Sequence, residues 1–258
     1  TKVTVFNIES GILKREEPIV QELANEYLTE QGITILNDVT LNSVSNDGNK
    51  PVITANGQNY TFDAVLYATG RKPNTSNIGL ENTDITTNER GAIVVNDTCE
   101  SSVPGVYAVG DVNGGPQFTY ISLDDFRIVF GALTGNGQYT LKDRKNIPYT
   151  TFLTPPLARV GLTEEDAINK GYTVKTKEML VATMPRAHVN DYLKGAFKIV
   201  VNAENNLILG ATLYSQGAEE LINLIKMAMD NNIPYTYFKN QIFTHPTMAE
   251  NLNDLCNF

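Results

Sequence analysis

The segment FTHPTMAENL near the carboxy terminus combines residue types suited to thiol chemistry. His245 is one of only two histidines in the chain, and a neutral imidazole that titrates near working pH is the natural acid and base for a cysteine thiol. Glu250 follows five residues later, where a carboxylate can orient the ring and hold it in one tautomer. The same glutamate has a purely structural use, because Thr247-x-x-Glu250 also fits a capping box that satisfies helix N–H groups. Upstream, VYAVGDVNGG runs a short apolar segment into Gly110 and Asp111. A carboxylate at the carboxyl end of a strand stands where open α/β sheets bind ligands and can accept hydrogen bonds from a hydroxylated chain. Gly-Asp is also an ordinary turn pair.

Other reactive residue types are scarce. Cys99 and Cys256 are the only cysteines, too far apart for a CxxC or CxxxxC redox unit and too few for a structural metal site. They read as free thiols of a reducing compartment, with Cys256, third from the carboxy-terminal end of the sequence, as a mobile thiol able to exchange with a substrate in the other reading. His188, in MPRAHVNDYLKG, has no carboxylate or thiol cluster at metal spacing beside it, so no metal site is expected. Arg186 and Lys194 read as solvated loop charges.

These residues need a scaffold, and the pattern supplies an α/β one. TKVTVFNI is a β-branched strand. EEPIVQELANEYLTEQG is a helix with Pro18 in its first turn, Ile19, Leu23, Ala24, Tyr27 and Leu28 on one face, and Gly32 as its stop. ITILNDV then gives the second parallel strand of a βαβ step. Turn signals at Asp47-Gly48 and Asn56-Gly57 mark an antiparallel meander, followed by a predicted buried strand at 64–68 that ends at Gly70. Beyond Arg71 the pattern predicts short strands in GAIVVN and GVYAVGD and an amphipathic helix through TYISLDDFRIVFGAL, beginning near Thr119. From Ile147 onward the strands and helices are those of an α+β domain with its own core. Its apolar segments lie at 197–201 and 207–213, and a broad-faced apolar helix at 218–229 calls for cover from more than one direction.

Several function classes are set aside by composition. The net charge of −9 over 258 residues disfavours nucleic acid and anionic membrane surfaces as partners. No apolar run approaches the roughly 20 residues of a membrane span, and no basic segment followed by an apolar core opens the chain. A cytoplasmic location is the expectation.

Taken in order, ATGRKPN, GVYAVGD, PPLARVGLTEEDA and HPTMAE resemble the carboxy-terminal part of the class I pyridine nucleotide-disulfide oxidoreductases, the family of glutathione reductase, dihydrolipoamide dehydrogenase and mercuric reductase. GDVNGGPQFTYISLDDFRIV looks most like the branch that includes hypothiocyanite and reactive-chlorine-defence reductases. The resemblance implies partial Rossmann-like nucleotide-binding domains followed by an α+β dimerisation domain: the end of the NAD(P) domain at 1–69, the end of the FAD domain at 70–145 and the dimerisation domain at 146–258. It implies FAD and NAD(P)H as cofactors, both sites being incomplete in this chain, a homodimer, and a small disulfide or oxidant substrate. By motif position Gly110, Asp111 and Val112 would hold the flavin ribityl chain, Thr119 and Tyr120 would stand by the pyrimidine edge of the ring, and Gly70 would line the nicotinamide path. Asn7 occupies the place where an acid usually reads the adenine ribose, although it also suits a strand-end turn. His245 and Glu250 would serve the partner subunit's redox cysteines, and the His245-Pro246 bond would be cis. No GxGxxG phosphate loop occurs anywhere in the sequence, so the chain reads as starting in mid-domain. The competing reading is a non-catalytic dimerisation module that keeps only remnants of its nucleotide domains.

Overall fold

The computed structural model describes all 258 residues, Thr1–Phe258, in two compact units. One joins Thr1–Val65 to Asn146–Phe258, and the other is Leu66–Lys145.

The first stretch forms the expected βαβ step. Strand β1 (Val3–Phe6) leads through helix α1 (Pro18–Glu30) to β2 (Ile33–Leu36), and β1 and β2 pair in parallel from Val3↔Ile33 to Phe6↔Leu36. Pro18 opens α1 and Gly32, at φ 81, follows its end. The buried stripe of α1 centres on Val20, Ala24 and Tyr27, with Ile19, Leu23 and Leu28 at its margins. Strands β3 (Leu41–Asn46), β4 (Pro51–Ala55) and β5 (Gln58–Thr61) make the antiparallel meander. Its turns are the two that the sequence marks, around Asp47-Gly48 and Asn56-Gly57.

The segment that follows departs from expectation. Residues 64–68 form no strand, and Leu66 is 90% exposed. An apolar run becomes a buried strand only if neighbouring strands take up its backbone groups, and none in this chain does. For the same reason GAIVVN and GVYAVGD are irregular, tied by the single bridges Thr87↔Ile93 and Glu100↔Tyr107. Helix α2 (Thr119–Thr134) begins where predicted.

The remaining stretch is a five-stranded antiparallel sheet with helices. Strands β6 (Tyr149–Thr151) and β7 (Leu157–Gly161) precede helix α3 (Glu164–Asn169) and strand β8 (Val174–Leu180). Helix α4 (Pro185–Val189), strands β9 (Ala196–Asn202) and β10 (Ile208–Tyr214), and helices α5 (Ala218–Asp230), α6 (Tyr235–Asn240) and α7 (Asn251–Leu255) complete the chain. The sheet order is β6-β7-β10-β9-β8. The apolar segments of the sequence are its central strands, whose Phe197, Ile199, Val201, Ala211 and Leu213 pack with Leu221, Ile222 and Ile225 of α5 and with Leu252 and Leu255. Helix α5 buries one face and leaves Met227 exposed, so it is amphipathic rather than apolar on most sides.

A second cluster packs Val20, Ala24 and Tyr27 of α1 against Leu157 and Tyr214 of the sheet. Tyr27 also accepts a hydrogen bond at its hydroxyl from the Gly195 amide at 2.9 Å. Charge runs along the same seam. Lys198 lies in the middle of a fully buried strand and pairs with Glu17 at 3.0 Å, Glu164 at 2.7 Å and Glu178 at 3.0 Å. Burial alone would lower the Lys198 pKa, but the hydrogen bonds it donates to those carboxylates outweigh it and the net shift is upward.

Candidate functional site

The turn at Gly110 is built by backbone constraints. Val109 is extended, and Gly110 at φ 70 breaks that direction into a one-turn 3-10 helix, Gly110–Asn113, which Gly114 closes at φ 78. The expected strand ending at Gly110 is therefore a turn entered from an extended residue. Two glycines are required for space as well: a Cβ on Gly110 would stand 2.6 Å from Ser122 Oγ in α2, and one on Gly114 would stand 2.8 Å from the Ala92 Cβ. Between them the Asp111 side chain is 49% exposed, with Arg71 Nη1 at 3.9 Å. The Val112 carbonyl accepts a hydrogen bond from the Ile93 amide at 3.0 Å. Thr119 and Tyr120 are the first two residues of α2, whose first turn has no side-chain cap, and the Tyr120 ring stacks on Phe118 at 5.1 Å. Gly70, at φ 110, is exposed and has nothing within 4 Å of where a Cβ would be.

A residue that sequence reasoning passed over lies behind this turn. Asp125 is fully buried in α2, and its Oδ2 accepts from the Gly110 amide at 2.7 Å and from Asn113 Nδ2 at 2.9 Å. Arg144 pairs with Asp125 and, at 2.7 Å, with Asp124. Burial pulls the guanidinium pKa down and the two carboxylates more than restore it. The signal was present in the spacing: Ile121, Asp125 and Ile128 share the buried stripe of α2, and a carboxylate in such a stripe has to be paired.

The carboxy-terminal constellation assembles as the spacing suggests. The His245-Pro246 peptide is cis, and His245 Nδ1 lies 2.7 Å from Glu250 Oε2. The other oxygen, Oε1, accepts from the Thr247 amide at 2.9 Å, while Thr247 Oγ1 accepts from the Glu250 amide at 3.2 Å. Glu250 makes both contacts at once, since one oxygen bonds the ring and the other completes the reciprocal box with Thr247. The box closes the turn before α7, which begins at Asn251. Thr247 Oγ1 also donates to the Thr244 carbonyl at 2.8 Å. Buried Asn251 donates to the carbonyls of Thr247 and Met248 at 3.2 and 3.1 Å. The His245 hydrogen bond and the Thr247 amide hold the Glu250 carboxyl below the usual range. The imidazole is 69% exposed. In the neutral tautomer that donates Nδ1–H to the carboxylate, Nε2 carries the lone pair.

The remaining candidates are placed less productively. The Asn7 side-chain amide donates to the carbonyls of Glu9 and Gly11, each at 3.0 Å, and to Asn37 Oδ1 at 2.9 Å, which makes it the organiser of the loop after β1. Cys256 is not a mobile thiol. It is fully buried in the main core, and burial pushes its pKa up to about 12; its neighbours Leu252 and Leu255 draw the whole of α7 inward. Cys99 is likewise buried, its pKa pushed up to about 11 by burial, with the Asp125 charge adding to the shift. His188 is exposed, with Nε2 2.8 Å from the Ala182 carbonyl.

Two family models match the chain. The model of the pyridine nucleotide-disulphide oxidoreductases covers residues 1–125, and that of the pyridine nucleotide-disulphide oxidoreductase dimerisation domain covers 147–256. The chain belongs to the pyridine nucleotide-disulfide oxidoreductase family. The fold, α/β nucleotide-domain parts followed by a mixed α and β dimerisation domain, is that of the family. The probable pyridine nucleotide-disulfide oxidoreductase RclA of Escherichia coli (strain K12) is 42% identical over 255 residues, 99% of this chain and 58% of that protein. A mercuric reductase of Staphylococcus aureus is 35% identical over 256 residues, 98% of this chain and 47% of that protein. The solved structure of the HOCl-induced flavoprotein disulfide reductase RclA from Escherichia coli superposes with a TM-score of 0.95 at 41% identity, covering 99% of this chain and 59% of that one. The chain thus spans about half of the length of these relatives, between 47% and 58% of the two curated proteins. No helix of the family member described here is long and apolar enough to cross a membrane.

Proposed function

We propose that this chain is the carboxy-terminal part of an FAD-dependent, NAD(P)H-linked oxidoreductase of disulfides or related oxidants, in which His245 and Glu250 serve the redox cysteines of the partner subunit in a cytoplasmic homodimer. The observation that carries the reading is the His245 Nδ1–Glu250 bond at 2.7 Å, on a ring whose side chain is 69% exposed. Such a ring takes the proton of an attacking thiol at Nε2. The resulting imidazolium, paired with Glu250, returns the proton to the leaving sulfur as the substrate disulfide breaks, so the ring ends in its starting state. An exposed imidazole held by a carboxylate favours this reading over a non-catalytic dimerisation module, for which the Thr247–Glu250 box alone would serve.

The flavin, when bound, supplies electron transfer between nicotinamide and disulfide. The turn at Gly110 fits its hydroxylated chain through Asp111, a half-exposed acceptor on a turn whose backbone at Gly110 and Val112 is already fixed by internal hydrogen bonds. Thr119 and Tyr120 open an uncapped helix whose positive end favours electron density on the ring edge. Gly70 and Asn7 belong to the nicotinamide nucleotide path in this reading, with 1–69, 70–145 and 146–258 as parts of the NAD(P), FAD and dimerisation domains. Similarity to an HOCl-induced flavoprotein disulfide reductase and to a mercuric reductase supports a small disulfide or oxidant as the substrate in this reading.

The test uses the longer protein that carries this chain. His245→Gln should leave flavin content unchanged and slow the disulfide-dependent step by about 10²–10⁴-fold, the range for a lost acid and base, with Glu250→Gln doing less. Mixed dimers of one parent lacking the redox cysteines and one lacking His245 should regain activity. Mixed dimers that form and stay inactive would remove the assignment across the dimer.

A further inference from the structure

We infer that Asp125 is a positioning residue for the flavin-binding turn: held by Arg144, it clamps both ends of the Gly110–Asn113 turn and so sets the direction in which Asp111 points. The inference rests on the flavin reading of Asp111 given above. The geometry is a two-point hold. A single oxygen, Oδ2, receives the Gly110 amide at 2.7 Å and Asn113 Nδ2 at 2.9 Å, the first and last residues of one helical turn. Only Asp111 and Val112 lie between the two anchors. Asn113 carries the hold onward, because its Oδ1 accepts from the Gly115 amide at 3.0 Å and its Nδ2 also reaches the Ala108 carbonyl at 3.3 Å. One carboxylate oxygen thereby fixes the backbone on both sides of Asp111.

Without a countercharge a carboxylate could not be kept at 0% exposure in this place. Arg144 supplies it, bonded to Asp125 and Asp124 together, and Tyr139 adds a hydroxyl 3.4 Å from Asp124. The close packing of Gly110 on Ser122 sets the distance between turn and helix; the carboxylate sets the turn's orientation. A simple space-filling role would have been met by an apolar side chain, as Ile121 and Ile128 do on the same stripe. A charged, doubly accepting residue is needed only if the turn must stay in one orientation when a ligand pulls on it.

The test measures the FAD dissociation constant of the apoprotein, by quenching of flavin fluorescence, in the longer protein that carries this chain. Asp125→Asn, which keeps the shape but turns a donor toward Arg144, should weaken FAD by about 10- to 100-fold, the range for a charged hydrogen-bond pair. Asp111→Asn alone should also weaken it, and the double variant should be little worse than Asp125→Asn, because Asp111 has already lost its orientation. A merely structural role for Asp125 would leave the cost of Asp111→Asn unchanged, so that the two losses multiply; that result overturns the inference. A dissociation constant within twofold of the parent for Asp125→Asn overturns it as well, while leaving the flavin reading intact. If Asp111→Asn alone has no effect, the flavin reading of that carboxylate fails first and takes this inference with it. Should Asp125→Asn not fold, Asn113→Ala removes one of the two anchors without burying an unpaired charge. It should show the same non-additivity with Asp111→Asn at a smaller loss, and multiplying losses overturn the inference there too.

Discussion

A single carboxylate makes two separate contacts within HPTMAE. Glu250 braces His245 through one oxygen and ties the turn through the other, so its effects on ring position and on backbone cannot be separated by truncation. Thr247 offers a cleaner probe. Thr247→Val removes the hydroxyl that links the Thr244 carbonyl to the Glu250 amide and keeps the amide bonded to Oε1. It should cost about 1 kcal/mol, as loss of a cap does, measured by denaturant unfolding. The thiols behave in the opposite way to a reactive pair. Cys99 and Cys256 are free, buried and held protonated, and thiolate is the reactive form. Ellman's reagent should therefore find no reactive thiol in the native chain and two after denaturation.

Among the elements, strand β9 is the most exposed to single substitutions, because a lysine sits where every neighbour is buried. Lys198 answers Glu17, which is itself 2% exposed. Lys198→Ala would leave that carboxylate buried and unpaired, at a cost of about 3–5 kcal/mol, visible as a lower denaturant midpoint. How much of this was legible in the sequence depended on range. Local signals held: Pro18 and Gly32 bound α1, Asp47-Gly48 and Asn56-Gly57 set the meander, and α2 starts at Thr119. Signals that need distant partners failed. The apolar run at 64–68 has the composition of a buried strand, yet pairing is decided by neighbours that no local window contains. In the same way Cys256 reads as terminal and mobile until α7 is seen to pack it against the sheet. Of the candidate site, His245, Glu250 and Asp111 were visible as chemistry; Asp125 was hidden because its role lies in the backbone it holds.

At the scale of the whole chain, alkaline pH should be the weak side. Burial pushes the Cys99 and Cys256 thiols up to about 11 and about 12, above the ordinary thiol value, and raises Tyr149 and Tyr214 above the ordinary phenol value. A raised folded pKa gives stability that is complete below the unfolded value and is lost as pH rises above it. The melting temperature should be level near neutrality and fall steadily above about pH 9, with Cys256→Ala flattening part of that slope in a calorimetric series. The chain by itself should bind FAD weakly, since Asp111 can orient a flavin but the sequence contains no phosphate loop to retain it. Fluorescence titration giving sub-micromolar affinity for these 258 residues would contradict that. Sedimentation should show a dimer with two-fold contacts, as its dimerisation domain implies.

The doubled use of Glu250 has a consequence for large variant libraries. If every residue were scored once for cellular abundance and once for turnover, an exposed imidazole that holds nothing up would drop out of the turnover screen alone. On the proposed reading His245, whose side chain is 69% exposed, is such a residue. Position 250 should drop out of both, because the oxygen that ties Thr247 is lost along with the one that braces the ring. A pair that touches at 2.7 Å would then sit in two different classes of tolerance, and an abundance map read alone would point to the glutamate and overlook the histidine it serves.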